Sequence, residues 1–304
     1  MATGTSEGSV TRCPNPGPNR GALPRGKPGS FLFTEADRGA SGPGRAALRC
    51  LARFFFPSRC LACRLRPLDR LLQGGICAVC WSEVALPAPI RCLACDEPLE
   101  TETDTLCGRC LLVPPPFSSL RAAAPYRGTA REILLAFKFR GADYLARHLA
   151  TLMVRRIPPP AHGCEVVAVP AARSARRRSD HAAELLAAAV ARRLDLPLER
   201  RLEKCRETER QSRLPFARRE GNVRGAFRPR GDSEAPVLLV DDVVTSGATA
   251  RECARQLRAA GAPDVVVWCF ARAARQDADL EPASSSSEPL GSTAISEGRT
   301  EVSP

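Results

Sequence analysis

Four C-x-x-C pairs constrain this chain more than any other feature: Cys60/Cys63, Cys77/Cys80, Cys92/Cys95 and Cys107/Cys110, separated by 13, 11 and 11 residues. A C-x-x-C knuckle turns two thiolates toward one ion, and a second knuckle roughly 10 to 20 residues later completes a tetrahedron. Sequential pairing makes two four-cysteine ribbons; the spacing also permits an interleaved order. Thiolates suit zinc and iron–sulfur centres alike, and zinc is the expectation here. With no His, Asp or Glu in a ligand slot and no open position, both sites are expected to be structural. A redox C-x-x-C usually stands singly, so a fourfold array argues against that chemistry and against disulfides. The other six cysteines have no paired spacing and read as inert small residues.

The chain has 304 residues and a formal net charge of +12, from 45 basic and 33 acidic side chains. Arginine outnumbers lysine 42 to 3, which points to biased base composition as part of the cause and weakens the charge as evidence for nucleic acid. The charge is also uneven. Residues 163–230 carry 17 basic and 9 acidic side chains, whereas 271–304 carry 3 and 6. Such a basic stretch suits a phosphate-bearing ligand as well as a polynucleotide. No apolar run reaches the roughly 18 residues of a membrane span, and the first twenty residues lack the apolar core of a signal peptide. A cytoplasmic protein is expected.

Residues 1–47 and 273–304 are rich in Gly, Pro, Ser and Thr, and are expected to be disordered tails. Residues 48–112 form the ribbon region and 113–272 an α/β domain, with VPPPF at 113–117 as the linker. Within the latter, strands are predicted at 119–126, 165–170, 236–240 and 264–271. Helices are predicted within 128–154 and at 180–194 and 249–260. Strands alternating with helices imply βαβ units and a mostly parallel sheet.

Residues 237–249, VLLVDDVVTSGAT, hold the most informative chemistry. Four apolar residues predict a buried strand ending in Asp241 and Asp242, and the carboxyl ends of parallel strands are where open α/β sheets bind ligands. The following residues Thr245, Ser246, Gly247, Ala248 and Thr249 supply hydroxyls, backbone N–H groups and a helix N-terminus, which together suit a phosphate. Carboxylates beside a phosphate loop make sense if the ligand also carries hydroxyls or a divalent cation: a phosphorylated sugar, its ribose 2′- and 3′-hydroxyls on the two acids. The plainer reading is a strand–turn–helix in which Thr249 and Glu252 form a capping box. Arg251, Arg255 and Arg258 read as the solvated face of that helix.

The segment resembles the thirteen-residue motif of type I phosphoribosyltransferases, which bind phosphoribosyl pyrophosphate (PRPP) with Mg²⁺. Taken with the ribbons, FFFPSRCLAC (54–63), CGRCLLVPPPF (107–117), APYRGTAREILLAFKFRG (124–141) and TERQSRLPFARREGNVRGAF (208–227) make residues 48–272 similar to the ComF family. These are phosphoribosyltransferase-like proteins named for a role in DNA uptake during competence. The resemblance implies a double zinc ribbon before a type I phosphoribosyltransferase-like domain. It also implies transfer of a phosphoribosyl group from Mg-PRPP to an acceptor that no motif identifies. Residues 171–174 would then form the pyrophosphate loop, with Arg173, Arg176, Arg177 and Arg178 as candidates for the ligand phosphates, the alternative being a solvated basic loop. Here that stretch, AARSARRRSDHAAEL, is about two residues short and lacks the family's Gly-Phe, which bears on turnover more than on binding. His181 lies near the family's amide and reads as a helix-start residue. Residues 206–227 read as a flap whose NVRGAF ending returns the chain to the sheet, and Lys138 as a snorkelling side chain. The rival reading is a PRPP-sensing or single-stranded-DNA-associated accessory protein of the uptake machinery, for which Phe56 and Trp81 make a thin stacking platform.

Overall fold

The computed structural model describes residues 59–66, 75–160, 163–171, 181–206, 208 and 219–274. The predicted tails apart from residues 273 and 274, together with Phe56, Arg173 and half of the expected flap, lie outside them. Two short helices, α1 (Ala78–Ser82) and α2 (Gly108–Leu112), each follow the first cysteine of a knuckle. The α/β unit then runs β1 (Ser119–Pro125), α3 (Gly128–Phe139), a 3₁₀ turn (Asp143–Leu145), α4 (Ala146–Arg156), β2 (Glu165–Ala168) and α5 (Ala182–Leu194). It continues with β3 (Leu198–Glu199), β4 (Leu202–Lys204), α6 (Arg219–Val223), β5 (Phe227–Pro229), β6 (Val237–Val244), α7 (Ala248–Ala259) and β7 (Val265–Arg272).

Five strands form one sheet in the order β1-β7-β6-β2-β3, all pairs parallel. Apolar side chains alternate between its two faces, as the two-residue strand period requires. Leu238, Val240, Trp268 and Phe270 face α3, α4 and α5. Leu239, Val267 and Cys269 face α7. The helices match this by their own period: Ala130, Ile133, Leu134 and Phe137 form one buried stripe on α3, and Ala250, Cys253, Ala254 and Leu257 another on α7.

Two sequence expectations need correction. Strand β6 does not end at the acids but runs on to Val244, because β7 pairs with it as far as Arg272 while β2 stops opposite Val240. The NVRGAF stretch does not rejoin the main sheet; Phe227–Pro229 pairs antiparallel with β4 in a separate two-stranded ribbon. No helix among the described residues is long and apolar enough to cross a membrane.

Strand β1 is an edge strand, and its outer side is closed by the second cysteine ribbon. The Leu120 amide donates to the Ala94 carbonyl (2.8 Å), and the buried Ala122 amide donates to an Asp96 carboxylate oxygen (2.8 Å). Arg121 reaches the Leu93 carbonyl, and Arg91 holds the other Asp96 oxygen at 2.8 Å. Exposed strand edges invite foreign pairing, so this cover is structural work done by a single loop. Asp96→Ala leaves the Ala122 N–H buried without its acceptor, which typically costs about 1–3 kcal/mol. A fall of that size in unfolding free energy by urea titration is expected, and an unchanged midpoint would refute the role.

Candidate functional site

The eight knuckle cysteines gather in sequential order, Cys60, Cys63, Cys77 and Cys80 in one centre and Cys92, Cys95, Cys107 and Cys110 in the other. In each set the four sulfurs lie within 4.8 Å of one another. A tetrahedron built on Zn–S bonds of about 2.3 Å has edges of about 3.8 Å. The Cys60–Cys80 and Cys95–Cys107 sulfurs are 3.8 and 3.6 Å apart, close to that edge. Backbone amides support the charged sulfurs: Cys77 N–H points at Cys60 Sγ and Cys107 N–H at Cys92 Sγ, each at 3.3 Å. Amides of Arg66 and Leu65 lower the Cys63 pKa to about 6. Burial raises that of Cys92, but the amides of Cys107, Cys95 and Ala94 outweigh it and bring the value to about 7. Thiolates are the metal-ligating form, so these amides favour loading. Gly75, two residues before Cys77, has a φ of +81°, a left-handed conformation that strains a residue with a side chain, and a Cβ there would also press on the Tyr144 hydroxyl at 2.3 Å.

The acidic pair lies at the crevice where the sheet order reverses. From β2 the chain moves outward to β3, and from β6 it moves the other way to β7. Such a switch point is where open α/β sheets leave room for a ligand. Asp241 follows directly on the last β2–β6 register pair, Ala168 with Val240. Neighbouring strand residues point to opposite faces, yet the two carboxylates stay close enough to interact directly. Asp242 is buried and forms an ion pair with Lys138 of α3, Nζ to Oδ2 at 2.8 Å. Lys138 is therefore no snorkelling side chain. Burial opposes its charge, but Asp242 prevails and raises its pKa. Asp241 is partly open to solvent and sits on the α7 side, near Cys253. Burial first, then the Asp242 charge, raise its pKa to about 7 against the partial relief of Lys138. Each acid also accepts the amide that follows it, Asp242 N–H at 2.8 Å and Val243 N–H at 2.6 Å.

Beyond β6 the loop Thr245, Ser246, Gly247 leads into α7. Gly247 is the N-cap at φ +74°, a left-handed conformation that glycine adopts without strain. Ser246 Oγ accepts the Ala248 amide at 3.3 Å, and α7 begins at Ala248 with Thr249 in its first turn. The N-cap glycine has no side chain to offer, so the Ser246 hydroxyl takes the first helical amide in its place. The expected Thr249/Glu252 capping box is absent, because Glu252 turns to the Gly225 amide (3.0 Å), Arg255 and Gln256.

Sequence reasoning missed three arginines that join the loop to the second cysteine centre. Arg109 of α2 donates to the Ser246 carbonyl at 2.6 Å. Arg251 is not on a solvated face: it is buried and donates to the Val113 carbonyl (3.1 Å) and Cys110 Sγ (3.6 Å). Arg272, at the end of β7 and 7% exposed, reaches Glu97 and, at 3.9 Å, Cys95 Sγ. Its Nε and Nη1 have no hydrogen-bond partner among the described residues, and the residue borders a small cavity shared with Ser246, Gly247, Arg109 and Arg251. The only available signal was the odd placement of an arginine beside a cysteine ligand in CGRC. His181 sits at the start of α5, 3.0 Å from Glu184. Arg173 lies outside the described residues.

Comparisons with known proteins agree on the architecture. Residues 51–111 match the model of a double zinc ribbon domain. The chain is 33% identical over 229 residues to the DNA utilization protein YhgH of Escherichia coli O6:H1, covering 71% of this chain and 97% of that protein. It is 28% identical over 232 residues to the competence protein F of Haemophilus influenzae, covering 72% of this chain and 99% of that one. A solved structure of the allosteric regulatory enzyme of purine biosynthesis aligns at a TM-score of 0.28 and 23% identity, over 42% of this chain and 26% of that chain. That likeness is too slight to define the fold, which rests on the parallel sheet itself. A double ribbon followed by this sheet, along nearly the full length of such relatives, places the chain in the ComF family.

Proposed function

We propose that this chain binds Mg-PRPP and transfers its phosphoribosyl group to a nucleophilic acceptor. The observation that carries this reading is the juxtaposition of Asp241 and Asp242 with the Thr245–Thr249 loop at the switch-point crevice of a parallel sheet. Loop amides and hydroxyls at the positive end of α7 suit a 5′-phosphate. Asp241, the more open acid, suits the ribose hydroxyls. Asp242 pairs with Lys138, whose charge also offsets the repulsion between the two carboxylates. In the reaction the acceptor's lone pair forms a bond to ribose C1 while the C1–O bond to pyrophosphate breaks. Mg²⁺-pyrophosphate carries away the electron pair, and the acceptor's proton passes to solvent. Positive charge building on the ribose is stabilised by fixed carboxylate and phosphate oxygens, each well-placed group contributing on the order of 3 kcal/mol. Arg173 belongs to this reading as a candidate pyrophosphate contact.

A second reading, association with single-stranded DNA during uptake, draws support from the names of the relatives and from the net charge of +12.

Calorimetry with Mg-PRPP tests the first reading: measurable binding by the wild type and a loss of at least about tenfold in Asp241→Asn at pH 8 are expected, since a charge-assisted contact contributes roughly 1.5–3 kcal/mol. Silence of the wild type would remove it. With the Asp241 pKa near 7, the acid is mostly protonated at pH 6 and mostly ionised at pH 8, so affinity should rise with pH across neutrality. Lys138→Met removes a cation that lowers this pKa, so the midpoint of that rise should move to higher pH; a fixed midpoint would contradict the pairing. For the second reading, single-stranded DNA is titrated at about 50 and 200 mM salt, where phosphate contacts weaken steeply as counterions compete. Salt-insensitive or absent binding counts against it.

A further inference from the structure

We infer that Arg109, carried by the second cysteine ribbon, is a positioning residue for the phosphate loop of the α/β unit. The inference rests on the phosphate-loop reading above and adds a residue from outside the segment that carries it.

The argument begins with one peptide unit. Arg109 Nη1 donates to the carbonyl oxygen of Ser246 at 2.6 Å. In a trans peptide the carbonyl of one residue and the N–H of the next point in opposite directions, and no described peptide is cis. Fixing the Ser246 carbonyl toward the ribbon therefore aims the Gly247 N–H away from the ribbon. Gly247 needs this restraint more than other residues, because glycine at φ +74° has no Cβ to resist rotation of its flanking peptides. A flipped Ser246–Gly247 peptide would present an oxygen where an anion needs a donor.

Arg109 is itself held in place. It lies between two ligands of one centre, Cys107 and Cys110, on the five-residue α2. Arg251, one turn beyond Gly247 in α7, clamps the far end of α2 through the Val113 carbonyl and Cys110 Sγ. The Arg251 amide in turn bonds to the Gly247 carbonyl at 2.9 Å. Ribbon and loop thus close a ring of contacts: Ser246 to Arg109, along α2 to Cys110 and Val113, across to Arg251, and back along the first turn of α7 to Gly247. A four-thiolate zinc centre carries a net charge of −2, and guanidinium groups at Cys95 and Cys110 offset it. The contacts of the first centre run elsewhere, to Tyr144 beside Gly75 and to Arg140 at the Leu61 carbonyl.

The test compares wild type, Arg109→Met and Arg109→Lys in the full chain. Arg109 is half-buried and ligates no metal, so two zinc ions per chain should be retained in all three, checked by elemental analysis. Amide hydrogen exchange of the peptide spanning 245–249 should speed up by at least about tenfold in Arg109→Met and recover in part in Arg109→Lys. Calorimetry with ribose 5-phosphate, which probes the phosphate end, should weaken by about tenfold in Arg109→Met, while Mg-pyrophosphate binding stays unchanged; tenfold corresponds to the loss of one net hydrogen bond. Unchanged exchange in a fully zinc-loaded Arg109→Met protein overturns the inference. Should the wild type bind neither ligand, the transferase reading fails, and the exchange result still decides whether Arg109 orders the loop.

Discussion

The outer edge of β1 is the constraint on which the rest depends. A parallel sheet with one open edge would expose the amides of Leu120 and Ala122, and the second ribbon closes them with the Ala94 carbonyl and the Asp96 carboxylate. The loop doing so is the one between Cys92 and Cys107, whose shape is set by four sulfurs converging on one point. Metal ligation and sheet integrity are therefore the same problem. Four-cysteine centres contribute folding free energy only when loaded, so the α/β unit inherits part of its stability from chemistry that takes place outside it.

The same docking explains where several arginines go. A chain with 42 arginines and a net charge of +12 invites an explanation by surface charge alone. Yet Arg251 and Arg272 are buried, and each faces a cysteine of the second centre. Buried guanidinium groups are costly unless a counter-charge meets them, and thiolates bound to a metal provide one. On the far side the buried charge is an acid: Glu165 accepts two bonds from the partly exposed Arg201 and one from Ser233. The net charge is therefore not a direct measure of the surface offered to a polyanion.

At the crevice, two acids adjacent in sequence have different environments. Asp242 is neutralised by Lys138 on the face covered by α3, while Asp241 remains partly open on the side of α7 with its pKa raised to about 7. Strand geometry gives them different neighbours, and this difference divides their work. One anchors a cation within the protein and the other is available to a ligand near neutral pH.

The two cysteine centres, the alternation of strands and helices, and the acidic strand followed by a Thr-Ser-Gly loop were all legible in the sequence. Each is a local pattern whose partners lie within about twenty positions, so spacing alone carries the information. The order of pairing among the knuckles stayed open until the fold brought Cys60 to Cys80 and Cys95 to Cys107. The length of β6 was misjudged because it is set by β7 rather than by its own residues. Lys138 and Arg251 read as solvent-facing because helical periodicity marks a polar side but not what lies against it. Arg109 and Ser246 stand 137 positions apart, and no periodicity or spacing links them. Sequence determined which local units form and what chemistry each carries. Only the packing of the ribbon on the edge of the sheet decided which charges meet, because such contacts depend on where whole elements come to rest.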